Sequence, residues 1–368
     1  IGTLATPCRE SRLCCTFHGD LGELTHMAWK FLLIFVAVAY YITLLFSLPP
    51  VDNEVAVEVI FGKGDGTNAS RLPPLFAHGG VSRYAPEFTL DSIQAAREAK
   101  AAGIELDLSF TRDNVGVLFY DDNLERTTSS EGFLANTSFA DLRQVDATSN
   151  DPLSKKCRDC TRVPTLQEGI HECLHQGLRF IIHVKRYDDR AVALLGVLFS
   201  QWPELYRLGL VSSPNADFIY ALRLKYPDIV TALTWRPGLL AYEDPERRRP
   251  RYETPNKHYK AVIADWLLEQ ALNTGLLHYI TGASAVLLWK DRLNFDSVRT
   301  WHDRGVHVIA WTPSKRVEKD YFRRILRVPI MTDLIEQIGQ RKDVGTPFYW
   351  WFGTRTFSAI RTLAFLIK

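Results

Sequence analysis

Apolar runs of strand length alternate with longer segments of helical periodicity through most of the chain. Eight runs have the composition of buried strands, at residues 75–78, 104–110, 115–120, 180–185, 208–212, 229–234, 285–289 and 306–311. This alternation is typical of a parallel sheet whose strands are joined by helices. Eight such strands predict an α/β fold, a closed (β/α)8 TIM-type barrel over residues 74–340. The link between the second and third strands, 111–114, is too short for a helix and departs from the repeat.

Another apolar pattern lies near the N-terminus. Residues 31–48 carry no charge and have the length of a spanning helix, with Trp29 and Lys30 before them and two prolines after them. We therefore predict a transmembrane helix over 31–48, a cytosolic segment over 1–30 and a polar, glycine-bearing stalk over 49–73. The alternative is a cleaved signal peptide, but the run is longer than a typical signal core and no small-residue cleavage site follows it.

Charges on either side of this run indicate its orientation. Arg9, Arg12 and Lys30 precede it, whereas acids follow it. Because positive charge favours the cytosolic side, the barrel is predicted to be lumenal or extracellular. The acceptor triplets at Asn68 and Asn136 agree with that side and predict a glycoprotein.

Two further segments suggest contact with a membrane. Residues 341–368 interleave aromatic side chains with arginines, which predicts a membrane-proximal tail and not a second complete span. Residues 262–280 are apolar with a helical period, but Asp265 and Glu269 disfavour a span. Packing on the barrel is favoured for this helix; dipping an apolar face toward the membrane or capping the pocket are the alternatives.

The overall charge is close to balanced and excludes one class of partner. Forty-four basic residues face 42 acidic ones, a net charge of +2. Nucleic-acid binding is therefore not expected.

Candidate chemistry begins with two acids on one predicted strand. Glu105 and Asp107 alternate with apolar residues, so both carboxylates lie on the same face. Like charges so close in a buried strand need a compensating cation or a shared proton, and the pair indicates a site for Mg²⁺ or Ca²⁺. An edge strand with a solvated acidic face has the same spacing and stays open as the alternative.

Other polar residues fall at or near the carboxyl ends of predicted strands, where barrel active sites are built. His78 precedes two glycines at the end of the first strand, and Tyr120 ends the third. His183 and Lys185 are two residues apart and share a face.

The order of the motifs resembles the glycerophosphodiester phosphodiesterase family. HGGVSRYAPEFT, ELDLSFTRD, VLFYDDNLERTT and VPTLQEGI follow the family pattern His-Arg-Gly, Pro-Glu-Asn-Thr, Glu-x-Asp, His-Asp, Arg-Thr-Thr and Pro-Thr-Leu-Glu-Glu, from about residue 75 to about 333. The stretches IVTALTWRP, RRPRYETPNKH and VIAWT are most similar to the membrane-anchored animal branch, which includes a glycerophosphoinositol-hydrolysing enzyme.

The resemblance implies an activity and a set of residues for it. The family hydrolyses glycerophosphodiesters to glycerol 3-phosphate and an alcohol, in phospholipid metabolism, with Mg²⁺ or Ca²⁺. By position, His78 matches the first catalytic histidine, Glu105 and Asp107 match the metal carboxylates, and Lys185 matches the phosphate-binding lysine.

Four motif positions depart from the family. Gly79 replaces the arginine, Phe88 the asparagine, Tyr120 the second histidine, and His183 the third acidic ligand. Tyr120 can donate a proton but is a poor base near neutral pH. His183 in the metal site favours Mn²⁺ or Zn²⁺. Two alternatives follow: a retuned hydrolase, or an attenuated or inactive barrel that binds a phosphodiester head group or a protein partner at the membrane surface.

Overall fold

The computed structural model of the protein describes residues 12–63, 72–80, 85–147 and 161–335. The acceptor triplet at Asn68 and the tail over 341–368 lie outside the described residues.

Eight parallel strands close into a barrel, which confirms the predicted fold class. The strands in chain order are β1 (Leu75–Ala77), β2 (Gly103–Phe110), β3 (Gly116–Leu118), β4 (Arg179–His183), β5 (Gly209–Ser213), β6 (Thr231–Trp235), β7 (Ala285–Trp289), β8 (His307–Trp311) and β9 (Ile330–Thr332). Around the ring the order is β1, β2, β4, β5, β6, β7, β8, β9, and β9 pairs with β1 to close it.

Two strands differ from the prediction: the third strand in the chain, and the last strand of the ring. β3 pairs antiparallel with β2 and lies outside the ring, because a short turn can join antiparallel strands whereas a parallel pair needs a long crossover. The eighth barrel strand is β9, which the sequence pattern did not single out. Its run is only three residues long and follows Pro329, so it carries little strand signal.

Some helices precede the first strand, and the others connect the strands and cover the outside of the ring. They are α1 (Arg12–Phe46), α2 (Asn53–Phe61), α3 (Leu90–Glu98), α4 (Phe139–Leu142), α5 (Leu166–Gln176), α6 (Asp189–Gln201), α7 (Leu205–Leu208), α8 (Ala216–Lys225), α9 (Pro255–Asn273), α10 (Leu276–Thr281), α11 (Phe295–Asp303) and α12 (Arg316–Asp320). Thr89 caps α3 and Thr165 caps α5 through capping boxes, which fixes where each helix begins after its loop. Ile93 and Leu166 on these helices are fully buried in the layer between helices and strands.

Helix α2 closes the inside of the barrel within the segment that the sequence predicted as a stalk. Ala56, Val59 and Ile60 are buried against inward-facing strand residues such as Phe76 and Ile181. Arg179 on β4 donates to the carbonyl oxygens of Val59 and Ile60. The stalk prediction is therefore wrong over these residues, because apolar positions hidden in a nine-residue helix fill the end of the ring.

This packing predicts a stability effect for a segment expected to be a free linker. Val59→Ala removes two buried methyl groups and should lower the free energy of unfolding by about 2 kcal/mol. Glu54→Ala on the exposed face of the same helix should change it by less than about 0.5 kcal/mol. Denaturant unfolding of both variants checks this, and equal values for the two would show that α2 does not belong to the barrel core.

Within the described residues, one helix is long and apolar enough to cross a membrane. The candidate span is His26–Phe46 in α1, with a mean hydropathy of 2.0 and no buried part. A signal sequence near an N-terminus has the same length and composition, so the anchoring role is taken up below as a proposal.

Candidate active site at the carboxyl ends of the strands

Two side chains of β2 and one at the end of β4 form a compact cluster. Glu105 and Asp107 are 3% and 1% exposed, and β2 lies between two parallel neighbours, so the alternative of a solvated edge strand is wrong. Asp107 is in register with His183 across the β2–β4 pair. One ligand atom from each of the three residues lies within 4.8 Å of the others. Two carboxylates and an imidazole in this arrangement are a donor set that divalent cations accept.

The charge balance of the cluster supports a cation. Burial, followed by the charge of Glu105, raises the pKa of Asp107, and the ammonium of Lys185 only partly opposes this. The Lys185 Nζ is 3.5 Å from Asp107 Oδ2. Asp107 Oδ1 is buried and accepts no hydrogen bond from any of the described residues. Because a buried charged oxygen without a partner is costly, a metal ion at this oxygen would remove an otherwise unexplained penalty.

His183 is held as a neutral ring suited to ligation. Its Nδ1 lies 2.8 Å from Ser212 Oγ on the neighbouring strand β5. Burial, with the positive charge of Lys185 and His78, lowers the pKa of His183 to about 3. When Nδ1–H donates to Ser212, the lone pair of Nε2 is available to a ligand. Ser212 was missed by sequence reasoning, although it ends a predicted strand.

His78 is oriented by a residue that the sequence analysis did not single out. Its Nδ1 lies 2.5 Å from Asp333 Oδ1, directly after β9, and its Nε2 lies 3.8 Å from Glu105 Oε2. Burial acts to lower the pKa of His78, but the charges of Glu105 and Asp333 outweigh it and raise the pKa to about 9. Asp333 was missed together with β9: its position is visible only once that short run is recognised as a strand.

The His78–Asp333 pair predicts activity losses of different size for two substitutions of Asp333. Asp333→Ala should lower kcat by about 10²-fold, because His78 loses its orientation. Asp333→Asn keeps an acceptor for Nδ1–H and should lose less. It removes a charge that raises the pKa of His78, so the acidic limb of the kcat/KM profile, below which His78 is protonated and cannot act as a base, should move to lower pH. Steady-state kinetics across pH checks both effects.

The control for this pair is Asp303→Asn, an exposed acid on α11. If the pH profile of Asp333→Asn matched that of the control, Asp333 would not position His78.

Tyr120 forms an aromatic floor beside the cluster. Lys185 Nζ lies 3.2 Å from the centre of the Tyr120 ring and donates to the Tyr120 carbonyl oxygen. The ring of Phe88 stacks parallel to Tyr120, with 6.3 Å between centroids. Burial, with the charge of Asp107, raises the pKa of the Tyr120 hydroxyl. The hydroxyl therefore keeps its proton near neutral pH and can donate it but not accept one.

Two of the departures from the family motif are linked in space. Gly79 has φ +62°, and a Cβ there would lie 2.9 Å from the ring of Phe88. Phe88 itself has φ +58°, which is uncommon for an aromatic residue. Its side chain occupies the space into which a side chain at position 79 would point. The Gly79 amide donates to Glu105 Oε2 at 3.1 Å, so this turn also holds a cluster carboxylate in place.

All six residues predicted from the sequence converge at one end of the barrel: His78, Glu105, Asp107, Tyr120, His183 and Lys185. Trp311 at the end of β8 borders the site, with its ring 6.4 Å from that of His78.

Some known proteins are similar to this chain in sequence, and others in fold. The model of the glycerophosphoryl diester phosphodiesterase family matches residues 78–337. The chain is 34% identical over 294 residues to glycerophosphodiester phosphodiesterase 1 of Mus musculus, covering 80% of this chain and 86% of that protein. It is 33% identical over 289 residues to the Homo sapiens protein of the same name, covering 78% and 84%.

Solved structures with the same fold are more distant in sequence. A phosphodiesterase of Oleispira antarctica, solved in complex with the product sn-glycerol-3-phosphate, has a TM-score of 0.56 and 21% identity and covers 72% of this chain and 95% of its own. A glycerophosphodiester phosphodiesterase of Agrobacterium tumefaciens has a TM-score of 0.53 and 17% identity, with coverage of 71% and 96%. These two similarities support the barrel fold alone.

Proposed function

Because this chain belongs to the glycerophosphodiester phosphodiesterase family and is a phosphodiesterase that hydrolyses glycerophosphodiesters, we propose that it does so with a divalent cation and while anchored in a membrane by α1. The products would be glycerol 3-phosphate and an alcohol. The observation that carries the proposal is the buried cluster of Glu105, Asp107 and His183 beside the His78–Asp333 pair.

The metal part of the proposal is supported by the donor set and by Asp107 Oδ1, a buried oxygen with no hydrogen-bond partner in the described part of the chain. Glu105, Asp107 and His183 would hold the cation, and when bound it would polarise the phosphoryl oxygens. The family implies Mg²⁺ or Ca²⁺, whereas an imidazole ligand favours Mn²⁺ or Zn²⁺.

Proton transfer would be divided between two side chains of this chain. Tyr120 keeps its proton and would donate it to the oxygen of the leaving alcohol. His78, oriented by Asp333, would act as the base in the other proton transfer. The ammonium of Lys185 would offset negative charge that develops on the phosphoryl oxygens.

The membrane part rests on the exposed apolar helix and on the charges around it. No part of the window His26–Phe46 is buried in the protein, and a lipid bilayer would remove its apolar side chains from water. With the basic residues on the cytosolic side, the barrel would be lumenal or extracellular, where the exposed Asn136 could be glycosylated.

A turnover assay tests the proposal. The full chain would be assayed on glycerophosphoinositol and glycerophosphocholine, with Mg²⁺, Ca²⁺, Mn²⁺ and Zn²⁺ supplied separately after chelation. Turnover in at least one cation, and its loss in Glu105→Ala, is the expected result. Glu98→Ala, at an exposed acid on α3, is the control that should keep turnover. Activity no higher than that of Glu105→Ala in every cation would favour a barrel that binds a head group without turnover.

A further inference from the structure

Helix α9 turns an apolar face away from the barrel. Tyr259, Val262, Ile263, Trp266 and Leu267 are between 37% and 69% exposed. Their spacing of three and four residues places them on one side of the helix, and we call this set the α9 stripe. The favoured prediction, that this helix simply packs its apolar residues on the barrel, is therefore incomplete.

The acids that argued against membrane contact do not lie on this face. Asp265 accepts hydrogen bonds from the backbone amides of Leu240 and Ala241 at 2.8 and 2.9 Å. Glu269 pairs with Arg292 at 3.5 Å. Both carboxylates are thus engaged with neighbouring parts of the protein, and the α9 stripe itself contains no acidic residue.

The exposed charges of α9 are positive. Lys257 and Lys260 are exposed beside Tyr259, in the first two turns of the helix. A tryptophan and a tyrosine among aliphatic side chains, bordered by lysines, form a surface suited to the boundary between anionic lipid head groups and acyl chains.

The α9 stripe continues toward the end of the candidate membrane span. Leu276 and Tyr279 on α10 are 41% and 44% exposed. Leu48, two residues after α1, donates its amide hydrogen to the carbonyl oxygen of Ile280 at 2.9 Å. Gly282 lies against the carbonyl oxygens of Leu48 and Pro49, where a Cβ would be 2.7 Å from each. The chain that leaves the span is thus fixed to the same helix pair that carries the exposed apolar face.

We infer that the α9 stripe lies on the lipid bilayer that holds α1, so that the barrel rests its α9–α10 side on the membrane. This inference depends on the proposed anchoring by α1. The span does not itself cover the stripe, since none of its window is buried. A second copy of the chain is less favoured than lipid as the partner that covers the stripe. A symmetric contact through the stripe would bring the lysines that border it together, and their charges would repel.

Site-specific crosslinking in a membrane tests the inference. The photoreactive amino acid benzoylphenylalanine would replace Trp266, or Ile263 in a second variant, in the full chain reconstituted into phosphatidylcholine–phosphatidylserine vesicles. The control position is Gln94, which is exposed on α3, between β1 and β2 on the opposite side of the ring from β6 and β7. After irradiation, covalently attached phospholipid should be recovered several-fold above the control at both stripe positions.

Carbonate extraction of the same samples separates the two ways in which the result could be negative. An inserted chain with lipid adducts no higher than at Gln94, or with dimers as the main adduct at position 266, would overturn the inference and leave the anchoring intact. A chain that carbonate releases from the vesicles would overturn the anchoring and the inference together.

Discussion

Replacing Asp107 with asparagine should lower kcat/KM by on the order of 10³-fold, equivalent to about 4 kcal/mol of transition-state stabilisation. The substitution keeps the size of the side chain but removes one of the two buried charges that would hold the cation. The rate of glycerophosphodiester hydrolysis at saturating cation measures the loss. We expect no other cation to restore it, because the missing charge belongs to the protein.

The same variant should not be less stable without metal. Burial and Glu105 raise the pKa of Asp107 above its usual value, so its ionised form is disfavoured in the folded state. That penalty is present when the pH is above the pKa of an unfolded aspartate, and it is absent in asparagine. In the presence of chelator, the melting temperature of Asp107→Asn should therefore equal or exceed that of the wild type.

Added cation should change the melting temperatures of the wild type and Asp107→Asn differently. A cation that binds only the folded state raises the melting temperature of the wild type, and this shift should vanish in Asp107→Asn. Asp217→Asn, at an exposed acid on α8, is the matched control and should keep both turnover and shift. Equal cation-induced shifts in wild type and Asp107→Asn would count against the metal site.

The residues that the sequence located best are those whose neighbours in the chain define their direction. Strict alternation along β2 placed Glu105 and Asp107 on one face, and the structure adds that this face is buried. His183 was found differently, from its position in the family motif and near the end of the predicted strand over 180–185, and the structure ends β4 at it.

The features that the sequence did not reveal depend on partners distant in the chain. Asp333 contacts His78 across 255 residues, and the strand that carries it is only three residues long. β3 has a strand-like composition, but its short turn commits it to an antiparallel pair outside the ring. α2 was taken for a stalk because a nine-residue amphipathic segment has no local sign that it enters a barrel. The positions of Asp333 and α2 therefore become visible only in the closed ring, and that of β3 only in its pairing with β2.

Restoring the family arginine at position 79 should lower both stability and turnover unless position 88 is changed with it. Gly79→Arg forces an L-residue into φ +62° and brings its Cβ to 2.9 Å from the Phe88 ring. The backbone conformation costs about 1–2 kcal/mol and the crowding about 1–3 kcal/mol. Because the Gly79 amide also binds Glu105, a shift of this turn would disturb the cluster. We therefore expect both a lower free energy of unfolding and a lower turnover from this single variant, measured by denaturant unfolding and steady-state kinetics.

The double variant Gly79→Arg/Phe88→Asn should recover part of both losses. Asparagine tolerates the positive φ that Phe88 adopts, and its smaller side chain opens the space into which the arginine would extend. Phe88→Asn alone loses a buried ring stacked on Tyr120, so each single variant is destabilised. The coupling free energy between the two positions should nevertheless be favourable by about 1–3 kcal/mol, because the effects of substitutions at contacting residues are not additive.

The kinetic side of this cycle separates binding from folding. A guanidinium at position 79 would clamp the phosphate, so KM in the double variant should fall below that of Phe88→Asn alone. Gly79→Lys/Phe88→Asn is the matched control, since lysine adds the charge without the planar pair of donors and should lower KM less. Losses that simply add in the double variant would mean that Gly79 and Phe88 changed independently, and that the aromatic floor formed by Tyr120 and Phe88 does not depend on a glycine beside His78.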